Sequence, residues 1–251
     1  MQGALFDYLL RQGDTALILG HRLSEWCGVA PALEEDIAMA NTALDLIGQT
    51  QMWLGYAAEV DGQGRTADDL AFRRDVWDFR NLLLVEQTNG DFGKTVMRQF
   101  LFDAFDVANL TALQGSTDPR IAEIAAKSVK EAQYHLERSR ETVIALGDGT
   151  AQSNARMQAA LDLLWSFTGE MFAMDDVDHT LAQDGTVPDL AQLQPGWTRT
   201  VNAVFTEAML TPPESSHAQL GGKTGARHSE HLGHMLATMQ FLPRAYPDAR
   251  W

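Results

Sequence analysis

The chain has 251 residues, 45% of them hydrophobic, with 8 prolines, one cysteine and a formal net charge of −15. That apolar share supports a substantial core and excludes a disordered chain, while the acidic excess excludes nucleic acid or an anionic membrane as a general partner and permits a more basic protein. The lone Cys27 rules out an internal disulfide framework and suits a reducing cytoplasm, where the chain is expected; neither a secretory leader nor a membrane span is expected either.

Few β-branched alternations occur, and the chain reads as all-α. A first helix is predicted over about residues 5–27, with Leu9, Leu10, Leu17, Leu23 and Trp26 on its apolar side and Gly28 as its stop. Asp14 lies on nearly the face of Leu10, Leu17 and Ile18. It reads either as a carboxylate paired with Arg11 or with another helix, or as a ligand position on the first helix of a bundle. A second helix is predicted from near Pro31 to about residue 60, with Glu34, Glu35 and Asp36 complementing the dipole of its first turn. Its apolar stripe is read as Ile37, Ala40, Leu44, Ile47 and Leu54, beside a second stripe of Ala38, Asn41, Asp45, Gly48 and Met52. A glycine inside a helix costs up to about 1 kcal/mol against alanine, so Gly48 calls for a packing reason such as a close helix crossing.

Asp61-Gly62-Gln63-Gly64 marks a turn, and Thr66 with Asp69 reads as a capping box leading into a helical stretch through Phe72, Val76, Phe79 and Leu83. After Asn89-Gly90 a helix is predicted to about residue 114, with Val96, Phe100, Val107 and Leu110 inward and Asp103 pointing to the same side; Asp106 follows one turn on. Asp118-Pro119 then opens the central helix, residues 121–146, which Gly147 closes. Ile121, Ala125, Ser128, Ala132, Leu136, Ser139, Val143 and Leu146 make one face of it, with Glu131, Tyr134 and His135 beside them. A Glu-x-x-His pair in such a helix is half of a carboxylate-bridged di-iron site. Here Tyr134 occupies the fourth position and His135 comes one residue later, a turn of about 100° around the axis.

Beyond Gly147-Asp148-Gly149, a long helix is expected over about residues 153–181, with Asp175, Asp176 and Asp178 as a solvated acidic face. Pro188 and Pro195 bracket a connector before another helix over about residues 197–210. Glu214 and His217 form a literal Glu-x-x-His after two prolines, with no second copy to pair with, and read as coincidence. The segment from Gly221 to His234 carries three early glycines, Lys223 and Arg227, and His228, His231 and His234 at three-residue spacing. It reads as an ordered loop meeting something anionic, either a phosphate or an acidic patch of its own chain, and the histidines as interface or cap residues rather than metal ligands. It is not a Walker loop.

Taken together, four long helices carry Asp14, Asp45, Asp103 and Glu131 in the order of a ferritin-like four-helix bundle. A single domain over 1–251 is expected, its core at about 5–147 and further helices at about 150–245. The acids are present and neither histidine stands at its spacing, so the site reads as degenerate, with Asp14, Asp45, Asp103, Glu131 and His135 as its remnants. Excess buried negative charge then needs partners, and Lys127 and Arg138 are the candidates.

Glu25-Trp26-Cys27-Gly28, the segment Ala40 to Gln49, Asn81 to Gln87, Lys130 to His135, and Gly221 through Gly225 on to Glu230-His231-Leu232-Gly233 resemble the C-subunit family of the phenylacetyl-CoA ring epoxidases, over nearly the whole chain. The resemblance implies a bacterial monooxygenase complex in aerobic phenylacetate catabolism. A catalytic A subunit of the same fold would hold the di-iron centre, and a reductase would supply electrons from NADPH. This chain would be its non-catalytic structural partner with no cofactor of its own; pairing with a second copy, in the partner's absence, is left open. Two rivals stand against that expectation: a self-sufficient di-iron oxidase or metal-binding protein using Asp45, Asp103, Glu131 and His135, and a module that docks CoA or a partner at Lys223, Arg227, His228 and His231.

Overall fold

The computed structural model describes residues 2–215 and 217–249. Four long helices make the bundle: α1 (Gln2–Ser24), α2 (Leu33–Asp61), and, after the short α3 (Ala67–Phe72) and α4 (Leu83–Glu86), α5 (Phe92–Leu113) and α6 (Pro119–Gly147). The registers fix their directions. Gly13 faces Leu54 and Gly20 faces Ala43, so α1 and α2 are antiparallel. Gln12 meets Asn109 and Trp26 meets Thr95, so α1 and α5 are antiparallel as well. Tyr56 donates to Asp118 at 2.6 Å and Arg138 pairs with Glu35, setting α2 against α6. It follows that α2 and α5 run parallel on one diagonal, and residues 62–91 cross the bundle to join them. One long crossover of this kind is the ferritin-like connection.

Local chemistry sets the ends. Asp91 caps α5 through the Lys94 amide, and Asp118 caps α6 through the amides of Arg120 and Ile121 with Pro119 at the first position. The Thr66–Asp69 capping box is present, yet α3 stops at Phe72. The crossover is therefore two short helices and a 3-10 turn at Val76–Asp78, not one helical run through Leu83. Gly147 is the last residue of α6 rather than its left-handed stop. A Cβ there would meet the Ala208 carbonyl at 2.3 Å, so close approach is what requires glycine.

Behind the bundle lie α7 (Ala151–Leu164), α8 (Asp176–Ala182) and α9 (Leu190–Glu207), then α10 (Glu230–Met239) and α11 (Phe241–Ala245). The expected single helix over 153–181 is broken by a 3-10 segment at Trp165–Met171, because α8 begins afresh at an Asp175 cap. Pro195 is inside α9, in its second turn, and does not end the connector before it.

The largest departure concerns α2. Met39, Ala43, Leu46, Trp53, Leu54 and Ala57 form its buried face, whereas Ile37, Leu44 and Ile47, read above as the core stripe, are exposed. Helix α2 is apolar on two sides, and the bulkier side, led by Trp53, took the core.

Candidate site in the bundle interior

The inward face of α2 is one residue away from the one the spacing suggested, whereas on α6 Ile121, Ala125, Ser128, Ala132, Ser139 and Val143 are buried as read, and His135 joins them inside. On α6, Ala132 and His135 are buried at 1% and 2% exposure, Tyr134 is 56% exposed, and Glu131 is half-buried. On α2, Leu46 and Gln49 are buried and Gly48 is exposed. The pairs at i and i+3 that look into the bundle are thus Leu46 with Gln49 and Ala132 with His135. The imidazole is inside, and the carboxylates that would accompany it have become Leu46 and Ala132. Asp45 and Glu131 are rotated by about 100° into a surface groove between α2 and α6.

The other acids are each committed elsewhere. Asp14 is fully buried on α1 and is held by Arg74 of the crossover. Arg74 Nη1 donates to Oδ2 at 3.0 Å, Nη2 donates to Oδ1, and the Arg80 amide adds a third bond at 2.8 Å. Arg74 itself stacks on Phe79, 4.4 Å from the ring centre. Asp103 is buried on α5. It is bound to Gln99 Nε2 at 2.6 Å and to Ser139 Oγ at 2.7 Å, with no cation in contact among the described residues. Burial pushes its carboxyl up to about 8, and Asp106, one turn on, is pushed by burial up to about 7. His135 Nε2 lies 2.9 Å from Asp45 Oδ2, and burial lowers the imidazole pKa against the pull of that carboxylate. Its Nδ1 has no hydrogen-bond partner among the described residues.

Lys127 and Arg138 do not neutralise this interior. Arg138 pairs with Glu35 on the rim, because its position on α6 faces the first turn of α2. Lys127 is exposed in the groove and makes no ion pair within 4.0 Å among the described residues. The interior cations come from other elements. Arg74 comes from the crossover and Arg11 from α1; Arg11 reaches Asp7 at 2.7 Å, Asp175 at 2.8 Å and Asp178 at 3.1 Å. Asp178 is therefore no part of a solvated face. It is buried, and it also accepts from Lys223 Nζ at 2.6 Å. The Arg11 and Lys223 side chains, with Tyr8, Gln49 and Asp106, border a small internal cavity of about 40 Å³.

The C-terminal loop has two anchors that the spacing did not single out. Glu170 is buried and receives four backbone amides: Leu83 at 2.7 Å, Gly221 at 2.8 Å, Gly222 at 2.7 Å and Lys223 at 3.2 Å. Glu86 is also buried and binds the His228 ring, the Ser229 amide and hydroxyl, each at 2.7 Å, and Asn81. Side-chain Cβ atoms would not fit at Gly222, 2.5 Å from the Asn81 carbonyl. The glycines were the visible signal; which acids they wrap was not. Arg227 remains exposed, and His231 is half-buried with its carbonyl bound by Arg22 at 3.2 Å. Glu214 and His217 are exposed in irregular chain.

A bridged metal pair needs carboxylates and imidazoles converging on one volume. Among the described residues, no three His, Cys, Asp or Glu side chains do so. Asp14 is held by Arg74, both oxygens of Asp103 are engaged by Gln99 and Ser139, and Asp45 and Glu131 open outward. These residues do not fit a di-iron centre.

Comparison with known proteins bears on the whole chain. The family model described as Phenylacetic acid catabolic protein matches residues 1–251. The C subunit of 1,2-phenylacetyl-CoA epoxidase from Escherichia coli (strain K12) is 49% identical over 247 residues, which cover 98% of this chain and 99% of that protein.

Proposed function

This chain belongs to the Phenylacetic acid catabolic protein family, and from that premise we propose that it is the non-catalytic structural subunit of a multicomponent phenylacetyl-CoA epoxidase. One observation carries the reading: the four positions that would bind and bridge metals on α2 and α6 present Leu46, Gln49, Ala132 and a single His135 to the interior. The chain keeps the bundle but spends its buried charge on Arg74, Arg11 and Lys223, which tie the crossover, α8 and the C-terminal loop together. Such ties make a stiff body with long helix faces. The di-iron chemistry that epoxidises the aromatic ring belongs, in this reading, to a catalytic partner of the same fold, fed by an NADPH-dependent reductase in the cytoplasm. Among the described residues, no helix is long and apolar enough to cross a membrane.

The test is turnover of phenylacetyl-CoA by purified components. With reductase and NADPH, the catalytic chain and this chain together are expected to give full product. This chain with reductase alone gives none. Product from this chain without the partner would overturn the reading.

A further inference from the structure

The outward face of α2 has no packing partner among the described residues. Leu33 is 71% exposed, Leu44 66%, and Ile37 and Ile47 are exposed beside them. Gly48 and Gly55 lie on the same side, and a Cβ added at either would meet nothing within 4 Å. Helix interiors disfavour glycine, and nothing inside this chain approaches these two closely enough to require it. Between this face and α6 runs a groove of about 340 Å³, floored by Leu44, Met52 and the two glycines.

Its charges are sorted by end. Asp45 and Glu131 sit together at one end, close enough that Asp45 adds to burial in raising the Glu131 carboxyl. The His135 beneath them is held towards its neutral form by burial and brings no firm positive charge. Arg120 borders the other end, beside Gly55, with Lys127 between. From residue 120 to residue 131 a helix rises about 16 Å, or three turns.

Resting on the subunit reading above, we propose that this groove is the seat of one helix of the catalytic partner, about three turns long and lying close on Gly48 and Gly55. It carries a basic side chain into the Asp45–Glu131 end and an acidic one towards Arg120 and Lys127. The polarity of the groove sets the direction of the docked helix, and the apolar run from Leu33 to Leu44 extends the contact beyond it.

Hydrogen exchange on this chain, alone and in complex with the catalytic subunit, tests the seat. Titrations of the complex with Gly48→Leu and with Asp45→Lys/Glu131→Lys accompany it. Protection is expected over residues 44–55 and 120–134, with each variant binding at least about 100-fold more weakly. Phe241→Ser, on α11, is expected to bind as the parent does. Leucine at position 48 favours helix, so weaker binding there is not loss of fold. Partner binding with protection elsewhere and unaffected variants would overturn the seat and leave the subunit reading intact. The same protection arising in the chain alone would assign the groove to a second copy and also overturn it. No binding by the parent chain at any concentration would overturn the subunit reading itself.

Discussion

Arg74→Met is expected to cost about 3–5 kcal/mol of stability at neutral pH, read from denaturant midpoints at constant slope. Asp14 has no exposed surface, and among the described residues the guanidinium is its only cation in contact. Removing one member of a buried pair leaves an uncompensated charge, and that is where the large penalties of buried ion pairs arise. Methionine keeps much of the volume and the contact with Phe79, so the loss reports charge rather than a cavity. Asp14 would then take a proton, and the variant should lose further stability as pH rises. Adding Asp14→Asn to it should recover much of the loss, since a neutral amide can still accept the Arg80 amide. A loss below about 1 kcal/mol in the single variant would mean that the pair is not what holds the crossover against α1.

Asp103→Asn is expected to do the opposite. Asp103 has a folded pKa of about 8 and an ordinary value of 3.8. Between those values the native state holds a proton that the unfolded chain has released. Stability therefore falls with rising pH across that window and levels off above the folded value. Asp106, at about 7, adds a second slope of the same sign. In its neutral form Asp103 donates to Ser139 Oγ, which can pass its own proton to the Leu136 carbonyl at 3.3 Å. An asparagine amide reproduces that donor and cannot ionise. The variant should match the parent at pH 5 and exceed it by about 3–4 kcal/mol at pH 8, with a flatter profile between. Destabilisation at pH 8 would show that the carboxylate form is wanted there, as a metal ligand or an ion-pair partner would require.

Much of the architecture was legible in the residues. Asp91 and Asp118 announced helix starts, and the order of acids over four long apolar-periodic segments pointed to the bundle. Two things hid the rest. Helix α2 is apolar on both sides, so periodicity alone could not say whether Leu44 or Leu46 faces in; only packing around Trp53 decides it. On α6 the imidazole of His135 is on the inward face while Glu131 lies at its edge, so a reading anchored on Glu131 placed His135 out of register. The ion pairs were hidden for another reason. Arg74 to Asp14 spans 60 residues and Lys223 to Asp178 spans 45, and neither leaves a local pattern. Gly221, Gly222 and Lys223 marked a built loop, but the carboxylates inside it, Glu170 and Glu86, carry no signature of their own.

Metal content answers the central question most directly. The purified chain is to be reconstituted anaerobically with excess ferrous iron, oxidised, desalted and counted for metal per chain. Substoichiometric iron, well under one atom per chain, and no oxo-bridge absorption are expected. Two tightly held atoms per chain with that absorption would contradict the account, because Asp14, Asp103 and His135 would then have to leave the partners described above.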